Sequence, residues 1–214
     1  EMCIRDRYLI NHEVMSTGPA ILTGLLISGL VGLINGVMIE KFKISPIIIT
    51  LGSMIAVRGM AQSILWLDNS WAWVKDPFLL SIANKSIGFI PMTVVIMLVL
   101  YAIFFILFTQ TSFGRSLYAI GGNQRASQLC GLAVERLKIV AYMLCGVTAG
   151  LGGLVLISRL SAVSPAVGAS IHFDVITAVI LGGASLSGGS GRLEKTLLGA
   201  IISGMILNYL TIKG

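Results

Sequence analysis

The residues able to do chemistry in this chain of 214 residues are few and far apart. His12 and His172 stand alone in polar connections, with no carboxylate pair or nucleophile–base constellation around them. Cys3, Cys130 and Cys145 show no Cys-x-x-Cys or Cys/His ligand spacing, which argues against both a metal site and a disulfide framework. No G-x-x-x-x-G-K-[ST] loop occurs, so nothing cradles a nucleotide phosphate. What remains are polar residues set inside apolar runs: Asn35, Arg58, Gln62, Arg159 and Asn208. Such side chains are costly in hydrocarbon and mark either interhelical hydrogen bonding or a polar pathway. Asn35, Arg58, Gln62 and Asn208 are the candidates for a pathway. Arg58 and Gln62, four apart, share a helix face and are expected to point inward. Arg159, near the end of a run, is expected to snorkel.

The elements that must position these residues are membrane helices. Hydrophobic residues make up 56% of the chain and charged ones 11%, against about 25% charged in soluble domains. Mean hydropathy is +0.93. A bilayer core takes about 20 mainly apolar residues per helix, and on that measure there are about six candidate segments. They are Pro19–Ile39, Ile47–Leu67, Pro91–Thr109, Ile139–Leu160, Phe173–Leu186 and Thr196–Ile212. The fifth, short and glycine-bounded, is open to a tilted span, a broken helix or a re-entrant segment. The expected fold is therefore all-α, a polytopic transmembrane helical bundle.

The net charge of +6 does not point to nucleic acid, because the basic residues sit in alternate connections rather than on one face. Lys41 and Lys43 occupy the first connection, Arg115, Arg125, Arg136 and Lys138 the third, and Arg192 and Lys195 the fifth. Those three are expected on the cytoplasmic side. The N-terminus then lies outside, and no leader pattern opens the chain, so it reads as part of a longer one. The stretch Glu1–Tyr8 fits poorly with the rest of the chain and is a candidate artefact. Trp66, Trp71 and Trp73 crowd the second connection, where indoles act as interfacial anchors.

The third connection, residues 110–138, is the most structured of the loops. Gly121-Gly122-Asn123 opens a short helix that Asn123 can cap, and Gly131 is placed to end it. Ala126, Leu129 and Cys130 form its apolar stripe. Elsewhere small residues recur at spacing four, as Gly32/Gly36, Gly146/Gly150 and Gly199/Ser203, and this predicts close helix packing within one subunit.

The block GRSLYAIGGNQRASQLCGL, Gly114 to Leu132, resembles the coupling loop of permease subunits of bacterial ATP-binding-cassette importers for ribose and related monosaccharides. The resemblance continues through NGVMIEKFKISPIIITLGSMIAVRG at Asn35–Gly59, SRLSAVSPAVG at Ser158–Gly168 and DVITAVILGGASLSGGSGR at Asp174–Arg192. It implies a non-spanning segment 1–18 and then a permease domain, 19–214, incomplete at both ends. It also implies a bacterial inner-membrane location and pairing with a second permease copy. Two cytoplasmic ATPase subunits would bind ATP and magnesium, leaving this chain without a cofactor, and a periplasmic solute-binding protein would deliver the solute. Arg115, Gly121, Gly122, Asn123, Arg125, Ala126 and Gly131 then become the ATPase-coupling residues. Permeases for branched-chain amino acids, nucleosides and autoinducer share this framework. An ATP-independent transporter or channel and a non-transporting scaffold are the readings from other classes, and the lack of Asp and Glu at span centres weighs against ion coupling. The peptide LSGGS at Leu186–Ser190 resembles the ATPase signature, but without a phosphate loop it reads as a glycine-rich turn.

Overall fold

The computed structural model describes residues 17–66, 72–73, 86–87, 90–160, 162–163, 168, 171–185 and 188–213. Glu1–Tyr8, His12, Trp71, the side chains of Trp66 and Trp73, and the first two residues of LSGGS lie outside the described residues. The helices are α1 (Thr17–Phe42), α2 (Pro46–Trp66), α3 (Met92–Gln110), α4 (Ser112–Gly122), α5 (Gln124–Leu129), α6 (Val134–Leu160), α7 (Ile171–Leu181) and α8 (Leu193–Lys213). Four two-residue strands accompany them: β1 (Ala72–Trp73), β2 (Ser86–Ile87), β3 (Ile90–Pro91) and β4 (Ala162–Val163). β1 pairs antiparallel with β4, and β2 with β3.

Four of the described helices are long and apolar enough to cross a membrane: Gly18–Phe42, Met92–Gln110, Val134–Leu160 and Leu193–Lys213. This corrects the expected count of about six. The second expected span does form a helix of 21 residues, α2, and the side chains of its last three residues lie outside the described ones. The fifth ends early: α7 has 11 residues, because Gly182 and Gly183 turn the chain at a point where the apolar run alone predicts continuation to Leu186.

The helices divide between two compact units. The first holds α1, α2, the start of α3 and α6 from Glu135 onward. Its organising contact is α1 on α6. The spacing-four glycines lie in that crossing: a Cβ on Gly32 would overlap the Tyr142 carbonyl oxygen and sit 3.1 Å from Gly146 Cα. A Cβ on Gly36 would meet Ile139 Cα at 3.0 Å, and one on Gly150 would strike the Ser28 hydroxyl. Lipid offers no hydrophobic drive for two apolar helices to associate, so dispersion contacts between closely approaching backbones take that role. The pair is pinned at one end by an ion pair, Lys138 Nζ to Glu40 Oε1 at 2.8 Å. α1 reaches α2 in three residues. Lys43, at φ 51, ends α1 with its N–H on the Ile39 carbonyl, and Pro46 opens α2 where its missing N–H costs nothing.

The second unit holds the end of α3, then α4, α5, α7 and α8. Here α8 lies against α7 through the same device. A Cβ on Gly199 would overlap the Ala178 carbonyl oxygen and lie 2.6 Å from Gly182 N, while one on Gly182 would lie 2.7 Å from the Lys195 carbonyl oxygen. Gly199 and Ser203 are buried on this face. Outside such seams many of the large apolar side chains are exposed, and α3 buries none of its residues. That is the inverse of a soluble bundle.

Gly146→Leu in α6 is expected to cost about 1–3 kcal/mol by overpacking the α1–α6 crossing. Gly52→Ala is expected to be neutral or slightly stabilising, since a Cβ there meets nothing within 4 Å. Thermal unfolding in detergent, followed by fluorescence-detected gel filtration, checks the contrast.

Candidate functional site

The connection from α3 to α6 is folded into two short helices, both within the second unit up to Val134. Thr111 starts α4, accepting from Gly114 N at 3.4 Å and donating its own proton to the Leu107 carbonyl at 2.6 Å. Gly114 is required by the reversal itself, because a Cβ there would run into the Phe108 backbone. Arg115 completes this corner: its guanidinium donates to the Gln110 carbonyl at 3.4 Å and to Ser112 Oγ at 3.2 Å. The side chain thus covers the carbonyl end of α3, which favours a cation.

Asn123 joins α4 to α5 and serves both. Its N–H donates to the Ala119 carbonyl, closing α4, and its Oδ1 accepts from Ala126 N at 3.1 Å, capping α5. A cap of this kind is worth about 1 kcal/mol. The far end of α5 is closed by a full Schellman motif. Leu132 N donates to the Ser127 carbonyl and Gly131 N to the Gln128 carbonyl, with Gly131 at φ 82. Only glycine adopts that conformation without steric cost. A six-residue helix, marginal by itself, is thereby fixed at both ends.

The residues of the expected apolar stripe do not form the buried side of α5. Ala126, Leu129 and Cys130 are all exposed, and Ser127 is the residue that faces inward, with Oγ bonded to the Asn123 carbonyl at 2.9 Å. Leu129 is 90% exposed. An apolar side chain held outward on a doubly capped turn is the feature that sequence reasoning missed. Fewer than two helical turns cannot define a face by periodicity, so only the exposure of Leu129 and its neighbour Arg125 reveals the outer surface.

Gly121 and Gly122, adjacent in sequence, play different roles. A Cβ on Gly121 would overlap Gly189 N, whereas one on Gly122 meets nothing within 4 Å. Gly121 therefore lets α4 lie against the loop between α7 and α8. That loop begins with a second Schellman closure, Ala184 N to the Val179 carbonyl and Gly183 N to the Ile180 carbonyl, and is held by Ser185 N on the Ser190 carbonyl at 2.9 Å. Phe108, Tyr118, Gly121, Gly189, Arg192 and Thr196 are among the residues enclosing a pocket of about 370 Å³ at this junction. The glycines of the LSGGS region thus serve chain reversal and close packing.

Of the four pathway candidates, the structure places Asn35 in a pocket of the first unit, between α1, α2 and α6, of about 390 Å³. Arg58 is half-buried. Gln62 is exposed and does not point inward as its spacing from Arg58 predicts, and Asn208 is exposed on α8. Arg159 is exposed at the end of α6.

The family described as "Branched-chain amino acid transport system / permease component" matches residues 8–214. The ribose import permease protein RbsC of Bacillus subtilis is 38% identical over 94% of this chain and 67% of its own length. RbsC of Escherichia coli is 34% identical over 91% of the chain and 61% of its own length. The L-arabinose ABC transporter permease protein AraH of Azospirillum brasilense is 33% identical, over 88% and 55%. The chain therefore spans roughly three-fifths of the length of these relatives. No solved structure matches it. With four helices fit to cross a bilayer and these relatives, the chain is a multi-pass inner-membrane protein, and it belongs to the branched-chain amino acid transport system permease family.

Proposed function

We propose that this chain is the membrane-spanning part of an ATP-driven importer that carries a monosaccharide, ribose or a close relative, into the cell. The observation that carries the reading is the exposed α4–α5 segment, capped at both ends of α5 and presenting Leu129 outward beside Arg125. Basic residues on this connection favour the cytoplasmic side, where a partner ATPase would receive it. Ordering the segment before docking removes the entropy cost that a flexible loop would incur on binding. The sugar assignment is supported by relatives named for ribose and arabinose; the family description alone would equally suit branched-chain amino acids.

In this account Arg125, Ala126 and Leu129 meet the ATPase. Asn123, Gly121 and Gly131 shape the segment, Arg115 secures its root, and Gly122 faces open space. ATP and magnesium bind on the partner subunits. A periplasmic binding protein supplies the solute and a second permease copy completes the pathway. Closure of the ATPases moves the segments, and the helices follow as rigid elements between outward and inward access.

Uptake of labelled ribose into proteoliposomes tests the reading, using the complete permease assembled with its ATPase and binding protein. Uptake is expected to require ATP and to vanish when the ATPase is omitted. Leu129→Ala is expected to weaken docking by about 1–2 kcal/mol, the worth of a buried leucine side chain less that of alanine. Ribose uptake that persists without the ATPase contradicts the reading.

A further inference from the structure

The Asn35 pocket has a chemical character of its own. Its lining is mostly apolar, and its polar groups come from three helices: Ser28 and Asn35 on α1, Thr50 and Ser53 on α2, and Tyr142 and Cys145 on α6. Three of these groups have spent their only proton. Ser28 Oγ donates to the Leu25 carbonyl at 3.0 Å, Thr50 Oγ1 to the Pro46 carbonyl at 2.9 Å, and Ser53 Oγ to the Thr50 carbonyl at 3.0 Å. A hydroxyl with its proton engaged offers only acceptor lone pairs. Asn35 Oδ1 adds another acceptor, and it is buried with no donor among the described residues. An unpaired polar atom at membrane depth costs free energy unless something donates to it. None of the described lining residues is charged, so the pocket offers no counter-charge to an ionised solute. The Asn35 amide N–H groups and the Tyr142 hydroxyl add donors, so the lining suits a neutral molecule whose hydroxyl groups both donate and accept. At about 390 Å³ the pocket is also far larger than the roughly 30 Å³ of one water and falls within the range of small-molecule sites.

We propose that this pocket between α1, α2 and α6 binds a neutral polyhydroxylated solute, whose hydroxyl groups donate to Asn35 Oδ1 and the surrounding hydroxyl oxygens. The identity of the solute as a monosaccharide rests on the importer reading; the unpaired Asn35 oxygen in a neutral pocket does not. The close α1–α6 crossing at Gly32 and Gly146, which also line the pocket, brings the two helices together beside Asn35.

Cys145 lines the pocket and is exposed, which makes it a native reporter. The experiment uses the complete importer in proteoliposomes with every other cysteine replaced by serine. Its rate of reaction with a small polar methanethiosulfonate is measured with and without ribose, arabinose, leucine and glycerol. Cys145 is expected to react, and ribose or arabinose to slow it at least fivefold, while leucine and glycerol leave it unchanged. Asn35→Leu is expected to abolish the protection while Cys145 stays reactive, which shows that the variant is folded and the pocket open. An unreactive Cys145 overturns the proposal, because protein or lipid then fills the pocket. Reaction without protection by either sugar overturns it as well, leaving a hydrated cleft. ATP-dependent ribose uptake by the same vesicles separates the two readings. Uptake without protection sinks the pocket alone, and protection without uptake leaves the pocket standing while the importer reading fails.

Discussion

Apolar helices surrounded by hydrocarbon gain nothing by burying apolar surface against each other, and the rest of this structure depends on that constraint. Association has to come from dispersion between backbones and from polar groups that find partners. Both helix seams meet the requirement with glycine. Gly32 and Gly146 let α1 and α6 cross at backbone distance, and Gly182 and Gly199 do the same for α7 and α8. The large side chains are displaced to the outside, so Leu22, Leu26 and Leu30 on α1 are all exposed. The seams are also where polar residues collect, and Ser28 and Ser203 are buried in them.

The α4–α5 segment solves a different problem. Only a few of its residues are buried, Gly114, Ile120 and Ser127 among them, and it obtains further rigidity from hydrogen bonds at its ends. Asn123 satisfies backbone groups of two helices at once, Gly131 closes the second helix, and Gly121 sets the first against the loop preceding α8. The result is a surface element whose outward face is free to carry specificity. That is the arrangement expected of a part that transmits motion, since a flexible loop would absorb displacement rather than pass it on.

Local features of this architecture were legible in the sequence, and features set by topology were not. The cap at Asn123 and the stop at Gly131 arise from short-range backbone chemistry, so the residue types alone reveal them. The spacing-four glycines reveal close packing for the same reason. Which glycines meet is another matter, because Gly32 and Gly146 are far apart along the chain and only the fold pairs them. The glycines bounding α7 mark it as short, but an apolar run does not show at which left-handed glycine, here Gly183, the helix ends. The inward orientation expected for Gln62 failed because periodicity assigns residues to a face without saying what lies opposite. Asn35 stood out as a polar residue in a span, yet its companions Thr50, Ser53 and Tyr142 come from other helices and were invisible as a group.

The central claim is that the α4–α5 surface couples this chain to an ATPase, and Cys130, exposed and adjacent to Leu129, tests it without disturbing either cap. In the assembled importer a short bismaleimide is added from the cytoplasmic side, with the ATPase carrying single cysteines around its docking groove. The account predicts a cross-linked species containing both subunits, absent from Cys130→Ser, with a yield that changes when ATP is bound. Failure to cross-link from any position along 123–130, together with labelling of Cys130 by an impermeant reagent from the periplasmic side, would contradict it.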